Sequence, residues 1–225
     1  MTETEARALF ANAAKSYLGY SESSGKHRQI IDLYNSKSPL PRNYKVTYTD
    51  AWCATFVSAV AIKCNMANII PRECSCYYQV EAFQKMERWC ENDAYCPKSG
   101  DIIYYDWQDS GKGDDTGVPN HVGIVESVIG GVITVIEGNK NDSVERRKIA
   151  VDGTCIRGYG LPNFAWWAEQ NTPKKKDPWY VTDGTWQEGT RLGIVDGNRP
   201  TAQATRAEVN KMILTAMRLM KEGKV

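Results

Sequence analysis

Apolar positions recur at helical spacing in the first part of the chain and alternate or run together, as in strands, in the middle. Ala6 to Leu18 carries Leu9, Phe10, Ala13, Ala14 and Tyr17 on one face and stops at Gly19, which predicts a helix. After the polar loop Ser21 to Lys26, the stretch Arg28 to Tyr34, with Ile30, Ile31, Leu33 and Tyr34, predicts a short second helix before the turn-rich Asn35 to Asn43. Thr49 or Asp50 then offers a short oxygen side chain to cap a third helix running through Ile62. That helix is rich in Ala, with Phe56, Val57, Val60 and Ala61, and has almost nothing polar, so it is predicted to be buried nearly all round. Asn68 to Cys76 leads into a loop, and Tyr78 to Trp89 repeats the helical spacing through Val80, Phe83, Met86 and Trp89.

The period then changes. A turn at Pro97-Lys98-Ser99-Gly100-Asp101 feeds the β-type run Ile102-Ile103-Tyr104-Tyr105, and a Gly/Asp-rich loop occupies Asp109 to Pro119. His121 to Val128 and Val132 to Glu137 flank Ile129-Gly130-Gly131, a hairpin by composition and turn signal. Val144 to Val151 and Ile156 to Gly160 supply two further strands. Helices followed by an antiparallel sheet give an α+β fold class. Residues 1–168 are expected to form this domain, 169–180 a linker (Asn171-Thr172-Pro173-Lys174-Lys175-Lys176-Asp177-Pro178), and 181–225 a small, mainly helical C-terminal module. In that module a turn at Asp196-Gly197-Asn198-Arg199-Pro200 precedes a helix from Arg206 to about Lys221. Thr205 caps it and Glu208 completes a capping box; Val209, Met212, Ile213, Ala216, Met217 and Met220 make one apolar face.

Composition narrows the function classes. The 225 residues are 42% hydrophobic and carry a net charge of +1, so there is no electrostatic case for nucleic acid or an acidic membrane as partner. No apolar run approaches membrane-spanning length, and the acidic start Met1-Thr2-Glu3-Thr4-Glu5 does not read as a signal peptide. A soluble chain made in the cytoplasm is expected. Seven cysteines, an odd number with no export signal, argue against a disulfide framework. No pair has two-residue spacing and the chain has two histidines, so no structural zinc site is expected.

Catalytic chemistry centres on Cys53. It sits in the first turn of the buried helix, where free N–H groups and the positive end of the dipole favour a thiolate. The alternative is one more small core residue. A cysteine nucleophile needs a base, and the base needs an orienting group. His27, between Lys26 and Arg28 in a polar loop, reads as a solvated surface histidine, whereas His121 opens a strand after a glycine-rich loop. A turn at Gly130-Gly131 sets residues whose numbers sum to about 261 opposite one another, so His121 pairs near position 140. Glu137 and Asn139 therefore fall at the same end of the ladder and, two apart, on the same side. The alternative for both is ordinary strand-end polarity.

Trp52-Cys53-Ala54-Thr55-Phe56-Val57-Ser58, Gly100-Asp101-Ile102, His121-Val122-Gly123-Ile124-Val125 and Ile136-Glu137-Gly138-Asn139 resemble, in order, the motifs of the CHAP family. These are cysteine, histidine-dependent amidohydrolases/peptidases that cut bacterial peptidoglycan. The resemblance covers roughly residues 5 to 165 and implies a papain-like fold with Cys53 as nucleophile, His121 as base, Glu137 as orienter and Asn139 as an assisting polar group. It also implies an oxyanion hole using the Cys53 backbone N–H. Trp52, Tyr105, Trp107 and Asn120 are the candidate substrate contacts. No cofactor is expected. Calcium, which some members bind through an Asp-rich loop, finds a candidate only in Asp109-Ser110-Gly111-Lys112-Gly113-Asp114-Asp115, whose spacing does not match an EF-hand; a substrate-groove rim is the alternative. The stretch Tyr104 to Asp109 is similar to phage endolysins of Gram-positive, clostridia-like bacteria. Trp186 to Gly197, with Arg199-Pro200 and Ala204 to Val209, is similar to a single S-layer homology motif, which implies wall binding, or oligomerisation through residues 181–225. The resemblance implies an endolysin held in the host cytoplasm until released to the wall, acting as N-acetylmuramoyl-L-alanine amidase or endopeptidase. The alternative is a catalytically inactive wall-binding or structural phage protein.

Overall fold

Four helices, then a sheet, then three more helices follow one another in the computed structural model, which describes residues 1–92, 94–109, 117–172, 185–194 and 205–224. Helix α1 (Glu3–Lys15) starts at a reciprocal cap: Thr2 Oγ1 accepts from the Glu5 N–H, and the Glu5 carboxylate accepts from the Thr2 N–H. Helices α2 (His27–Asn35), α3 (Cys53–Lys63) and α4 (Cys76–Lys85) follow. The sheet comprises β1 (Trp89–Cys90), β2 (Ile102–Tyr105), β3 (His121–Ile129), β4 (Val132–Lys140), β5 (Ser143–Ala150) and β6 (Ile156–Gly160). Its order is β1-β6-β2-β3-β4-β5 with every pairing antiparallel, so the α+β class holds.

Alternation along the strands divides their side chains between two cores. Ile102, Tyr104, Val122, Ile124 and Ile136 join Phe10, Ile30, Phe56, Val60 and Phe83 beneath the helices. Ile103, Tyr105, Val125, Ile133, Val135 and Tyr159 form a second cluster on the opposite face. Helix α3 is buried from Cys53 through Ala61, as its composition predicts, and packs on β3 and β4. Its approach to β4 depends on Gly138: a Cβ there would sit 2.4 Å from Phe56 Cβ and 3.0 Å from Trp52 Cζ3.

The hairpin turn falls where composition places it, with Gly130 (φ 58°) and Gly131 (φ 75°) both left-handed, as a type I′ turn requires. A second tight turn at Asn141 (φ 50°) and Asp142 (φ 57°) joins β4 to β5. Asp101 is fully buried; its carboxylate accepts from Arg7 Nη1 (2.8 Å), Tyr95 Oη (2.9 Å) and the Lys98 N–H (2.8 Å), tying α1 to the start of β2.

Several expectations are corrected. The predicted cap of α3 does not form: Asp50 instead accepts from the Thr47 N–H and Tyr44 Oη, and α3 starts at Cys53 with no side-chain cap. Helix α4 ends at Lys85, and Trp89 pairs as a strand with Gly160. His27 is buried, not a solvated surface residue: it begins α2, packs against Trp52 at 6.0 Å, and its Nε2 lies 3.1 Å from the Tyr48 carbonyl oxygen. Helix α5 (Phe164–Gln170) was not foreseen, being too short to repeat an apolar spacing; Asn163 caps it, and Trp167 donates to the Asn65 carbonyl.

Contacts divide the chain into two units, Met1–Thr172 and Pro173–Val225. Within the second lie α6 (Thr185–Arg191) and α7 (Arg206–Lys221), the latter with the capping box of Thr205 and Glu208. Helix α7 exposes Ile213, Leu214, Met217 and Met220. Residues 173–180 of the expected linker and the turn at 196–200 lie outside the described residues. No helix among the described residues is long and apolar enough to cross a membrane.

The close approach at Gly138 generates a test. Gly138→Ala overpacks the α3–β4 contact and is expected to lower stability by about 1–3 kcal/mol, read from the denaturant midpoint. An unchanged midpoint would contradict this packing of α3 on the sheet.

Candidate active site

Three elements converge on one buried line of ionisable groups. Cys53 is the first residue of α3 and 7% exposed. His121 opens β3, opposite Tyr105 of β2, and is 9% exposed. Glu137, in β4, is fully buried, and its Oε2 lies 3.2 Å from His121 Nε2. With Nε2 engaged by the carboxylate, Nδ1 is the ring nitrogen left for the thiol. The structure thus brings Cys53, His121 and Glu137 together.

Glu137 has a second partner that the sequence reading missed. Arg147 Nε donates to Glu137 Oε1 at 2.7 Å. In the β4–β5 ladder Glu137 faces Glu145 and Val135 faces Arg147, so Arg147 is a diagonal neighbour, within reach of a long side chain. The signal was available in principle, but it required the Asn141-Asp142 turn to be placed first. A buried carboxylate is costly unless paired; here each oxygen meets a cationic or ionisable partner.

Asn139, expected on the same side as Glu137, is not hydrogen-bonded to His121 or Glu137. The reason is local: the β4–β5 register shifts between Glu137 and Lys140, and Asn139 is left-handed (φ 58°). Two-residue alternation does not extend across such a bulge. The predicted hairpin register is nearly right. Ile124 faces Ile136 and Val125 faces Val135, a sum one lower than expected, with a register shift between Val125 and Ser127.

Of the candidate substrate contacts, Trp52 is corrected. It is fully buried and its indole N–H donates to Glu22 Oε1 (3.0 Å), so its side chain has no surface to offer a ligand. Tyr105 is also fully buried, sandwiched between Trp107 (4.7 Å, 12°) and His121 (5.8 Å, 27°). Trp107 is 41% exposed, lies 6.0 Å from the imidazole and carries the Arg147 guanidinium 4.6 Å over its ring. Asn120 is exposed but works within its own loop, accepting from the Trp107 N–H and donating to Asp106 Oδ1 and Gln108 Oε1. Asp106, buried, also accepts from the Gln108 and Val118 N–H groups. It thereby ties Gln108 to Val118, while residues 110–115 of the Asp-rich calcium candidate lie outside the described residues. Among the described residues, no group of three or more His, Cys, Asp or Glu side chains is placed to hold a metal ion.

The electrostatics favour an ion pair. Cys53 is drawn well below its ordinary thiol value, first by a hydrogen bond from Cys76, against burial, and then by His121 and the Ala54 N–H. Burial alone would push His121 down, but Cys53 and Glu137 outweigh it and carry it up to about 9. Burial likewise opposes ionisation of Glu137, yet His121 and Arg147 hold it below the usual carboxylate range. The arrangement is a thiolate facing an imidazolium whose far side donates to a carboxylate, the form in which a cysteine is nucleophilic. The ring signals of His121, followed by NMR, are therefore expected to titrate near pH 9, and Cys53→Ala is expected to move the midpoint down. A wild-type midpoint at or below 6.5, the ordinary value, would contradict the ion pair.

No curated protein and no solved structure matches the chain. Residues 43–139, which run from ahead of α3 into the last residues of β4, match the family described as CHAP domain. A CHAP domain, the domain of a peptidoglycan amidase/peptidase family, is therefore found at the residues that carry Cys53, His121 and Glu137.

Proposed function

We propose that the protein is a peptidoglycan hydrolase that cuts an amide bond by a thiol mechanism. The observation that carries this reading is the buried line Cys53–His121–Glu137 inside a CHAP domain. The Cys53 thiolate attacks the amide carbonyl, and the oxyanion forms near the uncapped start of α3, where the Cys53 backbone N–H is a donor. Imidazolium His121 gives its proton to the leaving amine. As a neutral base it then takes a proton from the water that hydrolyses the thioester, freeing the carboxylic acid and the Cys53 thiolate and restoring the ion pair. Glu137 keeps the ring oriented and stabilises its charged form, and Arg147 keeps Glu137 in place. Trp107, exposed beside the imidazole, offers an aromatic face to the sugar or peptide flanking the scissile bond.

Two bonds fit this chemistry: the amide between the muramoyl lactyl group and L-alanine, and a peptide bond of the stem or cross-bridge. Substrate peptidoglycan of Gram-positive, clostridia-like bacteria, a phage endolysin role, and retention in the host cytoplasm until release are parts of the same proposal, supported by the residues quoted for that resemblance. The second unit is proposed to bind the wall or to pair copies of the chain through the apolar face of α7, which exposes Ile213, Leu214, Met217 and Met220.

The test is release of soluble fragments from purified Gram-positive walls, identified by mass spectrometry. Wild type is expected to release them; Cys53→Ala should lower the rate on the order of 10³-fold or more. The rate should rise as Cys53 ionises, below the ordinary thiol range, and fall as His121 loses its proton near pH 9. Fragment masses separate amidase from endopeptidase. Binding to the wall without release by either protein would overturn the catalytic reading.

A further inference from the structure

Cys53 and Cys76 are the first residues of α3 and α4, and their sulfurs lie 3.7 Å apart, both buried and both free thiols. That separation is well beyond a covalent S–S bond of ~2.05 Å and within hydrogen-bonding reach for sulfur. Each helix start favours negative charge at its cysteine, yet two thiolates so close would repel, so only one ionises. The groups facing the pair decide which. His121 of β3 acts on Cys53, backed by Glu137 of β4 and, through it, Arg147 of β5. Tyr104 of β2 is buried nearby as a neutral phenol and donates to Gln79 Oε1 at 2.9 Å. The proton therefore leaves Cys53 and stays on Cys76.

We infer that Cys76 is a positioning residue for the nucleophile: it remains a thiol and donates an S–H hydrogen bond that fixes the Cys53 sulfur and stabilises its thiolate. The inference rests on the reading of Cys53 as nucleophile. Burial and the adjacent thiolate both work against ionisation of Cys76, the thiolate more strongly. The donor is itself held in place one turn into α4. Gln79 donates to the Pro71 carbonyl oxygen at 2.8 Å and accepts from Tyr104, which fastens the start of α4 to β2. The same hydrogen bond stabilises the thiolate as the group that departs when the thioester is hydrolysed.

The experiment is iodoacetamide alkylation of the full chain as a function of pH, followed peptide by peptide by mass spectrometry, in wild type, Cys76→Ala and Cys76→Ser. In wild type, Cys53 is expected to be labelled at lower pH than Cys76. In Cys76→Ala its midpoint should rise by about one pH unit, the size of a lost hydrogen bond to a charged group. Cys76→Ser, which keeps a donor, should recover most of that shift. An unmoved midpoint in both variants, or an equal shift in both, overturns the inference. Should neither variant fold, the wild-type order decides, and labelling of Cys76 before Cys53 overturns it. Alkylation needs no peptidoglycan, so failure to hydrolyse walls would sink the proposed function without touching this result.

Discussion

The site depends on one buried carboxylate. Glu137 is fully buried, and an unpaired charge in such a place is not tolerated; removing one partner of a buried pair costs about 3–5 kcal/mol. Its two oxygens are met by His121 Nε2 at 3.2 Å and Arg147 Nε at 2.7 Å, so the carboxylate stays ionised and fixes the ring. The far side of that ring is then available to a thiol. Opposite charges alternate along the line from guanidinium to carboxylate to imidazolium to thiolate, each stabilising its neighbour.

The fold serves that line by close approach. Helix α3 is almost wholly apolar and sinks against β3 and β4, and glycine at position 138 lets the Phe56 and Trp52 side chains lie on the β4 backbone. No side chain caps the start of α3; in the proposed mechanism its first turn of N–H groups serves the sulfur and the carbonyl oxygen under attack. Asp50, the residue best suited to cap it, is instead spent on Thr47 and Tyr44. Behind the imidazole, the stack of Tyr105 and Trp107 forms a wall whose outer ring is open to solvent.

The strands and most helices were legible because their apolar periods are strong. The hairpin arithmetic placed His121 and Glu137 together from a single turn signal. Its failures trace to features that period counting does not see. A register shift and a left-handed backbone at Asn139 broke the alternation that was to set Asn139 beside Glu137. His27 reads as polar from its neighbours Lys26 and Arg28, yet those two carry their charge away over Tyr20 and Tyr48 while the imidazole turns inward to Trp52. Trp52 looked like a groove residue from its place beside Cys53, but a helix start directs adjacent side chains to different sides, and this one points into the core. Arg147 and Cys76 were missed for a common reason: each joins the site through tertiary pairing, of β5 with β4 and of α4 with α3, which spacing along the chain does not reveal.

The proposed chemistry requires Cys53 to ionise well below the ordinary thiol range. The most direct measurement is the difference in ultraviolet thiolate absorbance between wild type and Cys53→Ala across the pH range. The ion pair predicts that the Cys53 signal persists well below the ordinary thiol value of 9.0. A signal that appears only as the pH rises toward that ordinary value would mean a neutral thiol beside a neutral imidazole, and would contradict it.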